Sequence, residues 1–165
     1  LYPDRVSEER MRVSVFQSPE QLEDFAARWR QFEVSAAAEF FQTWAWVGSI
    51  LKCLRGTLAV KGVLVEARAQ PVLMCMFYAD AEEREWSALE PGTSETFALC
   101  SEYNLPLLAA GLTEDELRAV VLGMLGAFPP SAVLRFGAVP NAWGELLRAC
   151  GTRVEVWRSR MAPRR

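Results

Sequence analysis

Glu102, Tyr103 and Asn104 are the one compact polar group at the end of an expected central strand. They follow Thr96 to Cys100, an alternating run that reads as a strand. At a strand end a carboxylate can act as general base, a phenol as general acid and an amide as a substrate-orienting group. The alternative is structural: Asn104 makes an Asx-type turn before Leu105-Pro106, and Tyr103 packs. Gln42, Trp44 and Trp46 are the second candidate group, because indoles stack on sugars and similar acceptors. The alternative there is a capped, buried helix whose indole N–H groups find internal partners.

The chain has no histidine, which excludes His-based triads and His metal sites and removes the commonest general base. Cys53, Cys75, Cys100 and Cys150 sit in separate apolar runs, and no pair has metal-ligand spacing. They read as reduced core thiols of a cytoplasmic protein, with no adjacent cationic cluster to activate one. The net charge of −3 offers no electrostatic footprint for nucleic acid. No apolar run reaches the roughly 18 residues that a membrane span needs. The acidic run Ala81 to Glu85 reads as a solvated loop, and the basic residues Arg158, Arg160, Arg164 and Arg165 as a solvated tail.

The stretch Phe40 to Leu54 is the element that must position the rest. Trp44, Val47 and Leu51 recur at helical spacing, and Trp46, Ile50, Cys53 and Leu54 fill the neighbouring face. A helix this apolar on every side is expected between layers, capped by Gln42 or Thr43. Before it, Arg12 to Phe16 alternates as a strand. Ser18, Pro19 and Gln21 then open a helix with a capping box, carrying Leu22, Phe25, Ala26 and Trp29 on one stripe and ending near Phe32.

Beyond Gly56 the period changes to two. Thr57 to Val60 reads as a short strand or part of a turn. Val63 to Ala69 and Val72 to Tyr78 read as a hairpin around Ala69-Gln70-Pro71, with Trp86 to Leu89 extending the sheet and a turn at Pro91 to Ser94. Thr113 to Glu116 is a second capping box, ahead of a helix bearing Leu117, Val120, Val121, Met124 and Leu125 and stopped by Pro129-Pro130. Ala132 to Phe136 reads as a short buried strand. Asn141 is expected to cap a helix with Trp143, Leu146, Leu147 and Cys150 inward, and Arg153 to Arg158 to form a last strand.

This element order resembles that of GNAT-type acyltransferases. Three segments resemble one branch, the CelD-type (BioF2-like) acetyltransferases related in fold to the Fem aminoacyltransferases. They are Phe40-Phe41-Gln42-Thr43-Trp44-Ala45-Trp46, Ser101 to Leu108, and Val154 to Pro163. The resemblance implies an α/β (α+β) fold with a mixed, mainly antiparallel central sheet flanked by about four helices. It also implies two tandem halves, of which this chain covers the first, with acetyl-CoA or another acyl-CoA held by the second. Catalytic GNAT domains carry a Gln/Arg-x-x-Gly-x-Gly/Ala loop that holds the CoA pyrophosphate on backbone N–H groups. Asn104 to Thr113 has Pro106 and the single glycine Gly111 instead, so no cofactor is expected in this chain.

The domain is expected over residues 11–160, between a polar segment, 1–10, and a basic tail, 161–165. Its expected role is an acceptor-binding or scaffold half, with Gln42, Trp44, Trp46 and Asn104 as substrate-binding residues. Two other readings are a non-enzymatic dimerisation module, and a minimal acyltransferase using Glu102 and Tyr103 as catalytic residues. Six Trp and nine Phe point to a covered face, hence a homodimer or a second GNAT-like half as partner, with no nucleic acid and no membrane.

Overall fold

The computed structural model describes residues 11–54, 56–79, 82–89, 104–137 and 139–155. Strand β1 (Arg12–Phe16) leads into helix α1 (Pro19–Ser35). Ser18 Oγ accepts the Gln21 N–H, and Gln21 Oε1 accepts the Ser18 N–H, which closes the expected capping box. The buried stripe is Phe25, Ala26, Trp29 and Phe32. The helix runs a turn beyond the expected end, and the Ala36 N–H still donates to the Phe32 carbonyl. Ala37, at φ 53°, then turns the chain into a single 3-10 turn, Phe40–Gln42.

Helix α2 (Trp44–Leu54) corrects two expectations. It buries Val47, Gly48, Ile50 and Leu54 but leaves Ala45, Ser49, Lys52 and Cys53 in solvent. Its exposed stripe is made of small and long amphipathic residues, which a count of apolar letters hides; Cys53 is therefore a surface thiol, not a core one. Neither Gln42 nor Thr43 caps it with a side chain. Thr43 Oγ1 donates back to the Phe40 carbonyl, while the Trp44 N–H donates to Glu33 Oε2 at 2.5 Å. A carboxylate brought from the end of α1 thus serves the positive end of α2.

Among the described residues the sheet is six-stranded. Strands β2 (Ala59–Ala67), β3 (Gln70–Ala79), β4 (Glu85–Ala88), β5 (Leu107–Leu108) and β6 (Val133–Arg135) join β1 in the order β1-β2-β3-β4-β6, with β5 also on β3. Every pair is antiparallel except β4–β6, which is parallel. Helix α3 (Glu114–Leu125) lies between β5 and β6 in the chain, and α4 (Asn141–Ala149) follows β6.

The β2–β3 hairpin turns at Arg68-Ala69, not at Ala69-Gln70-Pro71. Ala67 pairs with Gln70, and both turn residues have positive φ, 53° and 58°, as a two-residue hairpin loop matched to strand twist requires. Pro71 is accommodated within β3, beside the register shift at Val65/Glu66.

Helix α1 covers one face of the sheet, with α2 packed against α1. There Phe16 meets the Phe25 ring at 5.1 Å between centroids, and Phe25 lies over Gly62. Helix α3 covers the other face, with Gly123 against Val13 and Val65. Phe77, Trp86 and Phe128 pack there, and Phe136 joins Phe77 to Trp143 of α4.

Three further expectations are corrected. Strand β6 leaves Val133 and Arg135 exposed rather than buried, with Arg135 paired to Glu85 at 2.6 Å. Pro140, not Asn141, is the cap residue of α4. Arg153–Glu155 is not strand. The expected turn at Pro91 to Ser94, the strand Thr96 to Cys100 and the two ends of the chain lie outside the described residues.

Candidate functional site

Two of the candidate residues, Gln42 and Asn104, lie where the strand path beside β3 is broken. Strand β4 pairs with the end of β3, and the Leu89 N–H donates to the Met76 carbonyl. Strand β5 then takes up the same edge at Met74 and Leu73, and the Ala109 N–H reaches the Val72 carbonyl. One strand track is therefore used twice, by residues 85–89 and then by residues 107–109. Asn104, just ahead of β5, is 2% exposed, with its amide nitrogen 3.0 Å from where a Cβ on Gly137 would stand. Asn104 thus packs against the chain leaving β6.

Gln42 is tied to the same segment. Its Nε2 donates to the carbonyls of Leu105 (3.1 Å) and Pro106 (3.3 Å), and its Oε1 accepts the Glu39 N–H. Its backbone carbonyl accepts the Trp29 indole N–H at 2.8 Å. The 3-10 turn before α2 is thereby pinned both to α1 and to the segment entering β5. Pro106 has no N–H to offer, but its carbonyl is used. Among the described residues the Gln42 hydrogen bonds are all internal to the fold, so its amide acts as a strut.

Trp44 and Trp46 do not make one groove. Trp44 is half-buried, tilted against Trp29 at 6.0 Å between centroids, with the Arg30 guanidinium over its ring at 5.5 Å. Its indole folds back over Gly48, where a Cβ would come within 2.7 Å of Nε1. Trp46 belongs to a separate trio with Phe40 and Phe41, at 5.5 and 5.2 Å, in which Phe40 is 61% exposed. The buried Trp46 Nε1 has no acceptor among the described residues. Glu102 and Tyr103 lie outside the described residues.

The N-terminus of α3 follows directly. Thr113 Oγ1 accepts the Glu116 N–H at 3.3 Å, and Glu116 Oε2 accepts the Thr113 N–H at 2.8 Å. Glu114, Asp115 and Glu116 fill the first turn. The hydrogen bonds from Thr113 hold the Glu116 carboxyl below its ordinary range. This helix end is occupied by the protein's own carboxylates.

One further group escapes a reading by motif. Lys61 lies in the apolar run of β2, 8% exposed, with Nζ 4.4 Å from the Trp86 ring and 4.6 Å from the Phe128 ring. Burial lowers its pKa from the ordinary lysine value, and the Glu83 carboxylate works in the opposite direction. Its only sequence signal is a single cation inside Val60-Lys61-Gly62-Val63. The other perturbed groups are packed: burial pushes the Cys75 thiol, the Tyr78 phenol and the Cys150 thiol upward, away from ionisation near neutral pH. Among the described residues no group of His, Cys, Asp and Glu could hold a metal ion, and no helix is long and apolar enough to cross a membrane.

Comparison with family models, with curated proteins and with solved structures finds no match to this chain.

Proposed function

We propose that this domain is the scaffold or acceptor-binding half of a GNAT-like acyltransferase, without an acyl-CoA cradle of its own. The observation that carries the reading is the N-terminus of α3. A CoA pyrophosphate needs backbone N–H groups aimed at it and a positive helix end. Here the capping box uses the N–H groups of Thr113 and Glu116, and three carboxylates stand in the first turn. An incoming pyrophosphate would meet like charge. The element order, the largely antiparallel sheet and the single parallel pair β4–β6 support the fold half of the proposal. The use of Gln42 as an internal strut favours scaffold over catalysis.

Calorimetric titration of the chain with acetyl-CoA tests the division of labour. The expected result is no saturable heat. One-to-one binding in the low micromolar range would overturn it and would favour the minimal enzyme using Glu102 and Tyr103. The partner of such a half is a second GNAT-like half or a second copy of the chain. The alternative, a non-enzymatic interaction module with the same fold, is favoured by the outer edge of β1, which pairs with no described strand.

A further inference from the structure

The chain has sixteen arginines but only two lysines, Lys52 and Lys61. Arginine stays charged, whereas a lysine amine can lose its proton and act as a nucleophile. Lys52 stands in solvent on α2. Lys61 is nearly buried in β2. Across the ladder it faces Phe77, which in turn faces Ala88 of β4. The Phe128 ring lies 4.8 Å from Phe77 and 5.7 Å from Trp86, between centroids. Lys61 Nζ sits against this cluster, 4.4 Å from the Trp86 ring and 4.6 Å from the Phe128 ring.

No carboxylate closes the clamp. Nζ makes no hydrogen bond and no ion pair among the described residues, and the Glu83 carboxylate, exposed ahead of β4, acts on it only through space. Enclosed polar atoms without a partner do occur in this fold, Trp46 Nε1 and Trp143 Nε1 among them, but Lys61 Nζ is not one of these. The methylene stem is therefore buried while the tip reaches water. The rings attract an ammonium and hold the side chain between them. They give its N–H donors no oxygen acceptor, and burial works against the charged form.

We propose that Lys61 is a covalent modification site, an amine held between Trp86 and Phe128 and acylated by small acyl thioesters. The Nζ lone pair attacks the thioester carbonyl carbon. The N–C bond forms, the C–S bond breaks, and the thiolate leaves with the bonding pair. The proton displaced from nitrogen passes to water. The product is an uncharged amide, so a cation is removed from an apolar clamp and no ion pair is broken. Lys52 has the opposite setting, because its ammonium stands in water. The choice of a thioester as donor rests on the acyltransferase reading. The reactivity of Lys61 does not, because it depends only on β2, β4 and the segment after α3.

The two lysines make an internal comparison. The full chain carries Cys53→Ser, so that no thiol beside Lys52 relays the acyl group to it. It is exposed at neutral pH to a limiting amount of the acetyl thioester of N-acetylcysteamine, and acetylation at each lysine is read by peptide mass spectrometry. In the folded chain Lys61 should react at least about twice as fast as Lys52, and in urea the two rates should converge. The pH profile of the Lys61 rate should have its midpoint below that of Lys52. A smaller rate ratio in the folded chain overturns the proposal. So does a midpoint at or above that of Lys52, which would mean that the rings hold the ammonium rather than present the amine. The probe has no pyrophosphate, so calorimetry with acetyl-CoA bears on the acyltransferase reading and this measurement on Lys61.

Discussion

Gly62→Ala places one methyl group under the most constrained ring in the core. A Cβ at this position would stand 3.0, 3.0 and 3.1 Å from three carbons of the Phe25 ring. Ordinary carbon contacts lie near 3.5–4.0 Å, so the ring must shift by roughly half an ångström. Phe25 has nowhere to go: it is fully buried, with Phe16 at 5.1 Å and Trp29 at 5.6 Å, and Trp29 is held by its hydrogen bond to Gln42. Overpacking of this kind costs about 1–3 kcal/mol. Gly62 does not need left-handed φ, so alanine returns about 0.4–1 kcal/mol by restricting the unfolded chain. The expected net loss is about 1–2 kcal/mol, which corresponds to a fall of roughly 2–8 °C in Tm for a domain of this size. Urea unfolding followed by tryptophan fluorescence measures it. Adding Phe25→Leu should recover part of the loss, since the smaller side chain yields to the new methyl. A neutral or stabilising Gly62→Ala, or a double variant that is simply additive, would refute the claim that Phe25 is locked.

Two further outcomes follow from the charged groups. Lys61 has a lowered pKa in the fold, so just below pH 10.5 the unfolded chain holds a proton that the folded chain has shed, and stability rises with pH in that window. Lys61→Met should abolish that rise and leave stability at pH 7 unchanged or higher; a loss above about 2 kcal/mol would mean that the ring–ammonium attraction outweighs the cost of burial. At α3 the sign is reversed: the Glu116 carboxyl is lowered, so its contribution is present above pH 4.5 and is lost as pH falls through the folded value. Glu116→Gln should flatten the acid limb of the unfolding curve there, and Thr113→Ala should cost about 1 kcal/mol by removing the cap.

The features legible in the sequence are those set by neighbours in the chain. Both capping boxes, Ser18 with Gln21 and Thr113 with Glu116, form as their spacing predicts, because each needs only one turn of helix. The alternation of β2 and β3 is equally local. The hairpin turn was hidden because Arg68 and Ala69 adopt positive φ without glycine or asparagine, and the nearby Pro71 draws attention away from them. The α2 cap was hidden for a different reason: it comes from Glu33, on another helix, and only packing brings it there. The Lys61 clamp likewise joins β2, β4 and the segment after α3. At the candidate site, the sequence grouped Gln42, Trp44 and Trp46 by proximity in the chain. The fold separates the two indoles onto different neighbours and joins Gln42 to Leu105 and Pro106 instead.

That last connection explains how the broken strand track is kept in place. Strand β5 is only two residues long and pairs with β3 at Leu73 and Met74, too short a ladder to hold a strand by itself. Its entry is fixed from one side by the Gln42 amide on two consecutive carbonyls, and its exit by the Ala109 N–H on Val72. Asn104, packed against Gly137, anchors the same entry toward β6. Gln42→Leu would remove both carbonyl contacts at once and leave those acceptors in a partly buried setting, where each unpaired group costs about 1–3 kcal/mol. The loss would fall on the entry to β5, residues 104–108, and on the start of α3, not on β1 or α1. Hydrogen exchange would read that distribution directly. Faster exchange confined to residues 104–117 would assign Gln42 to holding the interrupted strand in register. Faster exchange spread evenly through the sheet would instead make Gln42 an ordinary contributor to global stability.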